Sequence, residues 1–67
     1  MNMKWIKASH KTSPDGVNVP CRKEEGDDYV YNNMFTNNGM VFIGDRDLMY
    51  NSRSPELRDY EWLDMLE

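Results

Sequence analysis

The chain carries one cysteine, Cys21, and one histidine, His10. Arg22 follows the thiol directly, and a cationic neighbour of that kind lowers a thiol pKa. His10 is the only base that could serve it. A chain of 67 residues has little material to shelter a reacting pair, so a packed strand cysteine is the expected role. Zinc needs about four soft ligands, and this sequence offers one of each type. Asp45-Arg46-Asp47 opens like a calcium loop, but Met49 and Tyr50 stand where a further oxygen ligand and a glycine belong. Asp27-Asp28 reads as turn solubility. The four glycines, at 16, 26, 39 and 44, fall in separate turns, so none forms a phosphate-cradling run. No catalytic residue, metal site or cofactor is expected, and the chain reads as a non-enzymatic protein.

Binding is the better reading. Lys4, Lys7, His10, Lys11, Arg22 and Lys23 gather positive charge near the first two β-leaning runs, with Tyr29 and Tyr31 close behind. Basic groups beside aromatic faces hold a nucleotide by charge and stacking. Lys7, His10, Arg22, Lys23, Tyr29 and Tyr31 are therefore one candidate ligand-binding set. The plainer role of such lysines is to guard strand edges against aggregation. A second candidate is acidic: Glu56, Asp59, Glu61, Asp64 and Glu67, opposed only by Arg58, form a face suited to a basic partner surface. Twelve acidic against eight basic residues give a net charge of −4, all of it in residues 34–67, because residues 1–33 balance. An acidic excess disfavours non-specific binding to nucleic acid or to an anionic membrane, so neither is an expected partner.

The elements that position these groups are short. Ser13-Pro14-Asp15-Gly16 is a turn, because proline presets one dihedral and Asp and Gly tolerate the tight positions after it. Glu24-Glu25-Gly26-Asp27-Asp28 is a second turn and Asn37-Asn38-Gly39 a third. Asn-Gly between β-favouring runs signals a type I′ hairpin. Between the turns, Lys4–Ala8, Val17–Arg22, Tyr29–Thr36 and Met40–Ile43 read as strands. Val17, Val19 and Cys21 share one side. Pro20 cannot donate to a ladder, which puts its run at an edge or ends it. Tyr29, Tyr31, Asn33 and Phe35 take one face of their run, and Val30, Asn32, Met34 and Thr36 the other. The apolar run Met40–Ile43 suits a strand covered on both sides. Around Tyr60–Leu63 a closing strand is expected, with a short helix started by Ser54-Pro55 as the alternative. Trp5 and Trp62 are both expected to be buried. The fold class is mainly β: a small antiparallel sheet of four to five strands, a meander or a barrel-like form, in one domain.

Trp5-Ile6-Lys7-Ala8-Ser9, a proline turn soon after, and Glu61-Trp62-Leu63-Asp64 at the end resemble a family of very short, functionally uncharacterised proteins of phages, prophages and gut bacteria. Those proteins open on Trp-Ile with a Ser and a proline turn, and close on a Trp flanked by His or Glu and an aliphatic residue. The resemblance implies a small β-rich fold and a home on a phage or mobile element. It carries no catalytic residue. The function expected is an accessory binder that inhibits a host protein, such as a defence nuclease, through an acidic surface. A nucleotide-sequestering module is the alternative. With no apolar signal stretch and no span of about 18 apolar residues, and with a lone cysteine, the cytoplasm is the expected compartment. Few large aliphatics and a doubly apolar Met40–Ile43 run favour a homodimer.

Overall fold

In the computed structural model, which describes residues 2–44 and 48–66, the chain forms one open antiparallel sheet. Its strands are β1 Asn2–Lys7, β2 Asn18–Glu25, β3 Asp28–Asn37, β4 Met40–Ile43, β5 Leu48–Asn51 and β6 Tyr60–Leu66, in the spatial order β1-β6-β2-β3-β4-β5. There are six strands rather than four to five. The added one is Leu48–Asn51, whose sequence has no β-branched residue and no apolar–polar alternation to mark it. Ser54-Pro55 opens a 3-10 turn, Pro55–Asp59, and not a helix. It stops where Tyr60 takes extended dihedrals and joins β6. Among the described residues no helix is long and apolar enough to cross a membrane.

β2, β3 and β4 follow one another as a meander, and β5 extends it. Asn38 and Gly39 both have positive φ, 52° and 79°, as a type I′ turn between β3 and β4 requires. The two chain ends pair with each other, Ile6 opposite Trp62 and Lys7 opposite Glu61, and β6 then lies against β2. β2 is thus an interior strand that runs straight through Pro20. The β6 ladder spans only Cys21–Lys23, so the missing N–H falls outside it.

Period-two alternation sorts the side chains onto two faces. The inner face carries Val19, Cys21, Met34, Thr36, Val41, Ile43, Tyr60 and Trp62, all buried. Leu57 of the 3-10 turn, with Ala8 and Ser13 of the β1–β2 connection, completes this core. Two polar contacts fasten the connection: the Trp62 indole Nε1–H donates to the Lys11 carbonyl at 2.8 Å, and the Ser13 and Thr36 hydroxyls lie 2.6 Å apart. Tyr50 on β5 and Tyr60 on β6 are separated by three intervening strands, about 19 Å at flat-sheet spacing. Their ring centroids are nevertheless 6.1 Å apart, so the sheet curls strongly toward its inner side without closing. It is an open sheet rather than a barrel.

The outer face explains two departures from expectation. Met40 and Phe42 of β4 face outward and stay half-buried, so that strand is fully covered on one side only. Trp5 is also outward and half-buried, whereas Trp62 is 2% exposed. Cross-strand register alone separates the two indoles.

Candidate functional surfaces

Four cross-strand neighbours make one row on the outer face: Lys7, Glu61, Arg22 and Tyr31. The insertion of β6 between β1 and β2 creates it, placing a carboxylate between two cations. Arg22 Nε donates to Glu61 Oε1 at 2.7 Å. The Arg22 guanidinium carbon lies 4.1 Å from the ring centroids of both Trp5 and Tyr29, so the flat cation is stacked against two aromatics. Tyr31 adjoins Trp5 and Tyr29 with centroids 6.2 and 6.4 Å away. Arg22, Tyr29 and Tyr31 of the candidate ligand set therefore do come together, with Trp5 as a member the sequence reading omitted. The cation is already engaged by Glu61 and by two rings.

Of the other members, Lys7 ends the same row beyond Glu61, and Lys23 and His10 lie elsewhere. Lys23 projects to the inner side, its Nζ 5.8 Å from the Tyr60 ring centroid and 3.8 Å from Glu25. Lys7 and His10 line a depression of about 570 Å³ along β1, together with Lys4 and Lys11 and one acid, Asp64. The chain doubles back there, since the Lys7 carbonyl accepts from the His10 and Lys11 amides at 3.0 and 3.1 Å.

The C-terminal acids are divided among surfaces. Glu61 is bound to Arg22 on the outer face. Asp64 stands opposite Lys4 on the other face of β6. Glu56 and Asp59 are exposed on the 3-10 turn, where a hydrogen bond from the Ser54 hydroxyl holds the Glu56 carboxyl below its usual range. Glu67 lies outside the described residues, as do Asp45 and Asp47.

A more concentrated acidic group sits on the β2–β3 hairpin. β6 covers β2 only over Cys21–Lys23, and β4 covers β3 only over Met34–Asn37. The distal part of the hairpin, from Glu24 through Asn32, is paired only within the hairpin among the described residues and is exposed throughout, whereas the Asn33 carbonyl accepts from the Gly44 amide at 2.9 Å. Its tip carries Glu24, Glu25, Asp27 and Asp28, with Val30 and Tyr31 behind them 45% and 63% exposed. Asp59 immediately precedes Tyr60, which pairs with Lys23, so the acidic end of the 3-10 turn falls at the root of this arm. The sequence showed the acids as a turn. The signal for an arm was the length of the two runs relative to their neighbours.

Cys21 is fully buried, and burial pushes its thiol up to about 11 despite a backbone hydrogen bond at Asn32 that works the other way. A thiol held in that state is a poor nucleophile. Among the described residues no three His, Cys, Asp or Glu side chains are grouped to hold a metal ion. No family model matches this chain, and neither do curated proteins or solved structures.

Proposed function

We propose that this is a non-enzymatic binding protein that presents the acidic tip of its β2–β3 arm to a basic surface on a partner protein. The carrying observation is the arm: Glu24, Glu25, Asp27 and Asp28 lie beyond the cover of either flanking strand, with Tyr31 and Val30 exposed behind them. Clustered carboxylates steer association with a basic groove, and adjacent apolar side chains supply contact once it is reached. Asp59, next to Tyr60 opposite Lys23, adds one of the C-terminal acids at the root of the arm. A nucleic-acid-binding protein of a phage host has the complementary groove, and the terminal motifs' resemblance to phage and prophage proteins supports that choice of partner. Immobilised protein should retain such a basic protein at low salt and release it as salt rises, because the Debye length shrinks from about 10 Å at about 0.1 M to about 3 Å at 1 M. The variant Glu24→Gln/Glu25→Gln/Asp27→Asn/Asp28→Asn should lose it. Equal retention by that variant would refute the reading.

A second reading rests on the β1 depression. Lys4, Lys7, His10 and Lys11 line it, with Asp64 the one acid among the described residues, which suits a small anionic ligand such as a nucleotide. A ligand that binds only the folded state raises its melting temperature. Thermal shifts with nucleotides and with inorganic phosphate, absent in Lys7→Ala/Lys11→Ala, check it.

A further inference from the structure

The two edges of the sheet differ in kind. At the β1 edge the outer row ends on Lys7, and three residues back along the strand Lys4 stands opposite Asp64 on the inner side. Charged edge residues of this sort oppose the addition of another strand. The β5 edge has no such guard. Its sequence, Leu48-Met49-Tyr50-Asn51, contains no charge and no proline. Among the described residues no strand pairs with its far side.

Two apolar rows run out to that edge, one on each face. On the inner face Val19, Met34, Ile43 and Leu48 are successive cross-strand partners. On the outer face Phe35, Phe42 and Met49 are, with the two phenyl centroids 6.3 Å apart. Both rows end on exposed residues, Leu48 at 44% and Met49 at 59%. The Ser52 amide donates to the Gly39 carbonyl at 2.9 Å, in register with the Met40–Asn51 pair. Antiparallel alternation from that bond directs the Met49 N–H and C=O away from β4.

We propose that β5 is a homotypic docking edge, where two copies pair their Leu48–Tyr50 segments antiparallel about a two-fold axis at Met49. An antiparallel pair of identical strands is its own complement, as a two-fold interface requires. That axis sets Met49 beside its mate on the outer face and Leu48 beside the partner's Tyr50 on the inner face. Both apolar rows then continue into the second sheet. Two chains of net charge −4 repel, and an uncharged strand lets them meet with little local opposition. Pairing over three residues per copy buries little surface, so the dimer belongs to the small, transient interface class.

Sedimentation from micromolar to millimolar concentration should show the 8.0 kDa chain approaching twice its mass. Met49→Lys should abolish that shift while keeping the native spectrum, and Met3→Lys at the opposite edge should preserve it. Paired β residues lie close enough to form a disulfide, and Cys21 is buried. With oxidised glutathione, Met49→Cys should therefore give a covalent dimer much faster than Met3→Cys. A chain that remains 8.0 kDa at millimolar concentration, a dimer that survives Met49→Lys, or equal crosslinking of the two cysteine variants would overturn the proposal. The first outcome leaves the edge to another protein's strand or to solvent.

Discussion

Arg22 and Glu61 stand 39 residues apart in sequence, yet they share a 2.7 Å hydrogen bond, with both side chains 19% exposed. The bond holds the guanidinium flat between Trp5 and Tyr29, joining four strands on one face. Arg22→Lys keeps the charge but loses the planar stack and the fork geometry. We expect it to destabilise the fold by about 1–2 kcal/mol, using the range for partly desolvated cation–π contacts. Chemical denaturation reads this directly. A loss below about 0.3 kcal/mol would mean the stack contributes nothing beyond an exposed ion pair.

Trp62 and Trp5 should report different environments. Trp62 is buried, with its indole N–H bonded to the Lys11 carbonyl, whereas Trp5 is half-buried on the outer face. Trp5→Phe should leave a blue-shifted emission that acrylamide quenches poorly, and Trp62→Phe should leave the reverse. Trp62→Ala should destabilise by about 3–5 kcal/mol, enough to unfold much of so small a domain at 37 °C.

The Ser13–Thr36 hydroxyl pair is fully enclosed. Ser13→Ala strands the Thr36 hydroxyl and should destabilise by about 1–3 kcal/mol, whereas Ser13→Ala/Thr36→Val removes both partners and should restore much of that loss. A double-mutant cycle measures the coupling, and strictly additive effects would show that the pair does not anchor the β1–β2 connection.

Alkali should lower the protein's stability over two overlapping pH ranges. Burial raises the Cys21 thiol from 9.0 to about 11. The Tyr60 phenol rises from 10.0 to about 12, through burial first and then through Tyr50. Each group holds its proton more tightly when folded, so its contribution is complete below the unfolded value and is lost as pH rises through the folded one. Denaturation midpoints should fall from about pH 9 to 11 with Cys21, and further toward pH 12 with Tyr60. Cys21→Ala should remove the earlier decline and leave the later one. In the native protein at pH 8 the thiol should react with iodoacetamide far more slowly than in denaturant.

Much of the sheet was legible in the chain itself, because alternation and turn chemistry act between near neighbours. Asn38-Gly39 marked its hairpin by the positive φ that both residues adopt. The two faces of Tyr29–Thr36 followed from period two, as did the opposed pairs Tyr60/Trp62 and Glu61/Leu63. Local pattern has no means of saying which strand lies beside which. Placing β6 between β1 and β2 is a long-range choice, made by burying Trp62, Tyr60 and Leu57 against Cys21 and Ala8. That choice alone set Glu61 between Lys7 and Arg22, spread the C-terminal acids over several surfaces, and put Trp5 outside while Trp62 went in. The same choice left β2 and β3 longer than their neighbours, so a charged turn became a projecting arm. It also left Leu48–Asn51, a strand with no alternation to announce it, as the sheet's bare edge.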